Sequence, residues 1–217
     1  MYKKLGTIAL TGALAFSLAA CGSNEKTSNG VETKEKEKEK EQPKQETKKD
    51  NSKEGKTESA KGNRSNPIAF NETASIDDVI LNTDGGEFKK FKAKVEVSIL
   101  EVIRGEQAFG ILKKENEFNE PAPEGKEWVL VKVKGKVVDA ETQDFEYLLS
   151  DMNFKLVSKE GQVYNHELSA VTPNQLHQKL YKGAEGEGYI SQVVNAGDDF
   201  TIQFETQKQN KVFFKSK

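Results

Sequence analysis

Phe91, Ala93, Val95, Val97 and Ile99 alternate with Lys92, Lys94, Glu96 and Ser98. Successive side chains of an extended strand point to opposite sides, so this spacing predicts a strand with one buried face and excludes an amphipathic helix there. The same period of two recurs at Val129, Val131 and Val133 and continues to Val137. Further runs follow at Met152, Phe154 and Leu156, at residues 189–194, at Phe200, Ile202 and Phe204, and at residues 212–214. Turn-forming clusters at Lys159-Glu160-Gly161, Asn195-Ala196-Gly197-Asp198 and residues 207–210 separate them. Seven or eight short strands without long connecting helices predict an all-β, antiparallel β-sandwich. One segment departs from the pattern: Ala108, Phe109, Ile111 and Leu112 recur at helical spacing, which predicts one short helix over residues 105–117. If Val129, Val131 and Val133 face the core, Trp128 and Leu130 face the other way and should pack under that helix. Residues 172–188, with Pro173, Gly183, Gly186 and Gly188, read as a long loop.

This material occupies only part of the chain. The 217 residues are 35% apolar and 31% charged, an average that describes none of three successive segments. Residues 1–20 begin Met1-Tyr2-Lys3-Lys4 and continue through an uncharged stretch to Leu18, the pattern of a signal peptide too short for a comfortable permanent span. Small residues then precede the only cysteine, in Leu18-Ala19-Ala20-Cys21-Gly22. This sequence resembles the bacterial lipobox. The resemblance implies cleavage after Ala20, a diacylglyceryl thioether on Cys21 and a lipid-anchored protein on the outer face of the cell membrane. Two acyl chains meet the requirement for stable anchoring, at about 0.8 kcal/mol per buried CH₂. A lone cysteine also excludes a disulfide framework.

Residues 21–66 form the expected tether. Of the 45 positions after Cys21, only Val31 and Ala60 are apolar, while 12 are basic and 10 acidic. Such a composition cannot bury enough surface to offset the entropy of ordering, so a disordered, charged linker is expected. Its Lys/Glu alternation places like charges at i,i+4, which cancels helical support. As a coil it would hold its ends roughly 40 Å apart, with an extended limit of about 150 Å. Residues 67–217 form the domain, with 19 basic and 25 acidic side chains. That excess of acid argues against nucleic acid or anionic lipid as the domain's partner.

Three stretches carry a second resemblance. They are Val102-Ile103-Arg104-Gly105, the run Asn116-x-Phe118-Asn119-x-Pro121-x-Pro123-x-Gly125-x-Glu127-Trp128-Val129, and Leu180-Tyr181-Lys182-Gly183 followed by Glu187-Gly188-Tyr189-Ile190. Together they resemble the telokin-like, immunoglobulin-fold lipoprotein domain of unknown function found in Gram-positive bacteria, over about residues 66–215. The resemblance implies an immunoglobulin-like two-sheet sandwich on an extracytoplasmic protein and supplies no catalytic residues. Without a cysteine pair the sheets must hold by packing alone.

Candidate sites are sparse. A hydrolase needs a nucleophile, a base and a group to orient the base, yet the domain offers only His166 and His177, outside any catalytic motif. Acidic clusters occur at Asp77-Asp78, Asp84 to Glu87, Asp139-x-Glu141-x-x-Asp144 and Asp198-Asp199. Asp139, Glu141 and Asp144 could present three carboxylates to Ca²⁺ between strands, although the spacing is not that of an EF-hand, and solvated turns explain them as simply. Residues 119–125 read either as a turn opening the Val-rich strand, with Asn116 or Glu127 satisfying its backbone, or as a stiff recognition edge beside Trp128. The expectation is therefore a monomeric, non-catalytic binding or interaction module at the envelope, with membrane lipid and an envelope protein as partners. No cofactor is expected, and the alternative is a Ca²⁺- or small-ligand-binding domain.

Overall fold

The computed structural model describes residues 61–217 apart from 166 and 167, with no side chain at position 84. Cys21, the leader and all of the tether up to residue 60 lie outside the described residues.

Among the described residues, nine strands and one α-helix follow in the order β1 (Thr73–Asn82), β2 (Lys89–Arg104), α1 (Gly105–Glu115), β3 (Lys126–Ala140), β4 (Tyr147–Ser150), β5 (Phe154–Ser158), β6 (His177–Leu180), β7 (Glu185–Asn195), β8 (Phe200–Glu205) and β9 (Lys211–Lys215). One sheet has the order β1-β2-β3-β7, a second β5-β8-β9, and β4 pairs with β6 as a short ribbon, all antiparallel. Val95, Val97, Val131 and Val133 of the first sheet share one buried cluster with Phe154, Leu156, Ile202, Phe204 and Phe214 of the second. This is the all-β sandwich with one short helix that the alternation predicts. Burying these branched and aromatic side chains stabilises by roughly 1.5–3 kcal/mol each before entropy is counted.

Two β-bulges set which face each residue takes. Ile99 pairs with Val133 and Glu101 with Lys132, so Leu100 is an extra residue on β2. The phase flips there: Val102 packs on the main core, whereas Ile103 turns to the opposite face. On that face Ile103, Trp128, Leu130 and Val193 form a second cluster with Ala108 and Leu112 of α1. Trp128 and Leu130 thus lie under the helix, as their register predicts. A second bulge at Val138, between the pairs Val95–Val137 and Lys94–Asp139, leaves Val138 exposed and shifts the next inward residue of β3 to Ala140.

Several expectations need correction. Residues 172–188 are not one loop, because they contain β6 and the start of β7. Gly186 and Gly188 are strand residues, and Gly186 pairs with Gly135 of β3. A Cβ on Gly188 would lie 2.7 Å from the Asn174 carbonyl oxygen and 2.7 Å from Leu176 Cα, and one on Gly186 would lie 2.7 Å from Gln178 Oε1. A Cβ on Gly135 would collide with the Leu149 side chain. These glycines let the β4-β6 ribbon and residues 174–176 lie directly on the β3-β7 backbone. Met152 is no strand residue; it sits exposed in a 3₁₀ turn, where Ser150 and Asn153 cap each other and break the extended run. Residues 61–66, placed in the tether by composition, are partly tied to β9: the Phe213 N–H donates to the Gly62 carbonyl (2.8 Å). Backbone bonds need no apolar side chains, so composition does not register them.

The two edges where the sheets meet are each laced by a buried polar side chain. On the β1 side, Asp78 is fully buried and accepts from Tyr147 Oη (2.7 Å), Gln207 N (2.9 Å) and Lys208 N (3.0 Å). It thereby joins β1, β4 and the β8-β9 turn. On the β7 side, Gln192 accepts from Leu156 N (3.1 Å) and donates to the Tyr164 carbonyl (2.7 Å), joining β7 to the outer edge of β5. Among the described residues no buried side-chain polar atom lacks a partner.

Two outcomes are expected. In denaturant melts, Gly188→Ala loses about 2–3 kcal/mol, because its Cβ meets fixed backbone. Gly110→Ala, in mid-helix with nothing within 4 Å, gains about 0.5–1 kcal/mol. Equal effects at the two positions would contradict the close approach at Gly188. Alkali supplies the second test. Burial, with the Asp198 carboxylate beside it, pushes the Tyr164 phenol up to about 12, and burial beside Asp78 pushes Tyr147 up as well. The unfolded chain releases these protons near pH 10 while the folded chain keeps them, so stability falls as pH rises from about 10 to 12. Tyr164→Phe should flatten that loss, read from unfolding free energy against pH.

Candidate functional site

The acidic and histidine candidates separate on inspection. Asp139 pairs with Lys182 (2.6 Å), which holds its carboxyl below the usual range. Glu141 accepts from the Lys92 N–H (2.7 Å) and pairs with Lys92 Nζ (3.3 Å), and the backbone bond chiefly lowers its pKa. The Asp144 N–H donates to Thr142 Oγ1 (3.1 Å). These three carboxylates do not converge, and no group of three or more His, Cys, Asp or Glu suited to one ion occurs among the described residues. The cleft of about 400 Å³ beside Asp139 is lined by Lys92, Lys94 and Lys182 as well as by Asp77 and Glu141, so ammonium groups stand where a cation would need to sit.

The other acidic pairs are likewise engaged. Asp78 is the buried edge tie described above, and the Asp77 carbonyl accepts from Lys208 Nζ (3.3 Å). Asp198 accepts from Tyr164 Oη and Asn195 Nδ2, which lower its pKa, and Asp199 pairs with Lys217. Glu87 pairs with Lys89 (3.2 Å), and the backbone of Asp84 opens a 3₁₀ turn. His177 is exposed at the start of β6, opposite Ser150. His166 lies outside the described residues.

The loop between α1 and β3 is different in kind. The Asn116 N–H caps α1 on the Leu112 carbonyl (3.0 Å), and its Oδ1 accepts from the Phe118 N–H (3.0 Å). Asn119 is buried and works on two segments at once. Its Nδ2 donates to the carbonyls of Leu112 (2.7 Å) and Val171 (2.9 Å), and its Oδ1 accepts from the Val171 N–H (2.8 Å). Trp128 Nε1 donates to the Glu120 carbonyl (2.9 Å), tying the loop to the floor under α1. Glu127 pairs with Arg104 and accepts from the Gly197 N–H (2.9 Å), while the Arg104 guanidinium lies 5.0 Å from the Phe200 ring centre. The Asn, Trp and Glu positions of the motif are thus structural anchors, but the expectation that Asn116 or Glu127 satisfies the backbone of residues 119–125 is corrected: Asn116 serves the Phe118 N–H and Glu127 the Gly197 N–H, both outside that turn.

Phe118 is the exception. It is 81% exposed on this pinned loop, with half-exposed Val171 on the segment that Asn119 holds. Glu115, Glu117, Glu120 and Glu124 around it are exposed, and none forms an ion pair among the described residues. The arrangement presents an aromatic ring at low entropic cost, in a stretch rich in glutamate where the Lys113 ammonium donates to the Glu117 and Asn119 carbonyls on either side of it. Sequence reasoning centred on Trp128 and missed Phe118; the signal was an aromatic between two asparagines in a turn.

No known family model matches the chain, and no curated protein matches it. The telokin-like resemblance therefore has no family match behind it. Among solved structures, the chain is similar to the yjhA protein of Bacillus subtilis at 11% identity and a TM-score of 0.43, over 69% of this chain and 99% of that one. It is similar to a secreted protein of Mycobacterium tuberculosis, MPT63, at 8% identity and a TM-score of 0.43, over 69% and 97%. A third, the ycdA protein of Bacillus subtilis, described as a candidate lipoprotein, shares 13% identity over 65% of this chain and 37% of that one, with a TM-score of 0.37. These values are too low to place the chain in a family or to transfer a function.

Because lysines already occupy the carboxylates at Asp139 and Glu141, millimolar Ca²⁺ is expected to leave the melting temperature unchanged. A ligand of the native state must raise it, so a saturable rise that Asp139→Asn removes would restore the metal reading.

Proposed function

We propose that the chain is an extracytoplasmic lipoprotein, held to the cell membrane through Cys21, whose domain is a non-catalytic binding module that engages an envelope protein through the Phe118 end. The observation that carries the binding role is Phe118: an aromatic ring left in water on a loop whose neighbours are all bonded into the fold. Rigid exposed aromatics are favourable anchors because little side-chain or loop entropy remains to be lost on association. Glu115, Glu117, Glu120 and Glu124, none of them in an ion pair among the described residues, outnumber the lysine at this end and favour a partner with an apolar pocket and some basic character. The anchor rests on the charged start, the apolar stretch and Leu18-Ala19-Ala20-Cys21. Among the described residues no helix is long and apolar enough to cross a membrane. The reading is compatible with, and does not rest on, the secreted protein and candidate lipoprotein among the similar solved structures.

A photoreactive residue at position 118 of the full chain in intact cells is expected to give one or a few discrete protein adducts, while the same residue at exposed Met152 gives none. Equal labelling at both positions, or none at 118, would sink the binding site. Cys21→Ala is expected to release the chain from the membrane fraction, and continued membrane association would sink the anchor.

A further inference from the structure

A cleft of about 500 Å³ on the second sheet is lined by Arg64, Ser65, Ser158, Lys159 and Thr201. Its side chains are two cations and three hydroxyls, with no carboxylate among them. The domain otherwise carries more acid than base, and the cleft beside Asp139 mixes both signs, so this lining stands apart. We propose that it binds the phosphate group of a phosphate ester.

The guanidinium of Arg64 is seated in advance. Its Nη2 donates to the Lys159 carbonyl (2.9 Å), and it lies over Gly161, where a Cβ would come within 2.8 Å of Nη2. Gly161 also has φ +101°, so the turn and the seat both require glycine. The remaining N–H groups of the fork stay available, and a planar guanidinium matches two oxygens of a tetrahedral anion. The Lys159 N–H is fixed on the Asp199 carbonyl (3.1 Å), and Lys159 is part of the same wall. Asp199, which feels the charge of Lys159, is already paired with Lys217. The Ser158 hydroxyl oxygen accepts from the Gln162 N–H (3.2 Å), which leaves its O–H to donate to an anion. Ser65 adds a second, exposed hydroxyl. The phosphate could belong to a soluble ester or to a lipid headgroup, and the two share this recognition chemistry.

The test uses the full chain, with amide chemical shifts followed by NMR. Inorganic phosphate is expected to give saturable shifts confined to residues 64–65, 158–161 and 201. Arg64→Ala and Lys159→Ala should each weaken the apparent affinity about tenfold while the rest of the spectrum is unchanged. Vesicles of phosphatidylglycerol and of phosphatidylcholine form the second arm. Arg64-dependent binding to either vesicle identifies a headgroup, whereas a response to inorganic phosphate alone identifies a soluble ester. The proposal is overturned if neither probe moves these amides, or if chloride at equal ionic strength moves them equally.

Discussion

A two-sheet sandwich without a disulfide must keep its sheets from sliding or splaying with side chains alone, and here Asp78 is the group on which that depends. It occupies an inward position of β1, in the row of Ala74, Ile76 and Ile80, where an isolated carboxylate would be very costly. Three donors from two other elements, including the Tyr147 hydroxyl, offset that cost. Any rearrangement that moved β4 or the β8-β9 turn would strip a buried charge of its partners, at a cost of several kcal/mol. Gln192 does the corresponding work at the other edge with a neutral amide, a gentler constraint. The core supplies most of the stabilisation, and these two residues restrict it to one alignment.

The remaining architecture follows from where side chains are withheld or shifted. Gly135, Gly186 and Gly188 remove three side chains from the β3-β7 floor, so a ribbon too short to form its own layer can settle on backbone. The bulge at Leu100 turns Ile103 outward to meet Trp128 and Leu130, which gives α1 a surface to cover. Without that cover, the outward-facing Trp128 and Leu130 would meet water. The α1 cover in turn places its C-terminus, and hence Asn116 and Asn119, where the exposed loop begins.

What could be read in advance divides along the same lines. β2, β3, β7, β8 and β9 announce themselves because their inward positions are apolar and regular. β1 does not, since Asp78 interrupts its inward row. β4 and β6 were hidden for another reason: four residues, whether the apolar Tyr147–Ser150 or the polar His177–Leu180, are too few to show a period and form strands by virtue of their partner's backbone. The glycines in residues 172–188 were legible as loop formers but not as floor residues, because close approach is a property of the second segment. Of the site, that Asn116 and Glu127 bond backbone groups was open to sequence reasoning, but their partners, Phe118 and the distant Gly197, were not. The exposure of Phe118 was not, because it depends on Asn119 reaching Val171, 52 positions away.

The attachment of residues 61–68 to β9 has a mechanical side. The Ile68 N–H donates to the Phe213 carbonyl, the Lys215 N–H donates to the Ile68 carbonyl, and the Gly62 carbonyl accepts from the Phe213 N–H. Ile68 and Phe214 are paired in parallel. A pull applied at residue 61 against a load held at the Phe118 end would therefore meet several backbone bonds to β9 before it reached the core. The Gly62 bond is met first and the two Ile68 bonds after it, so the entry of the chain into the domain offers graded points of yield ahead of the core.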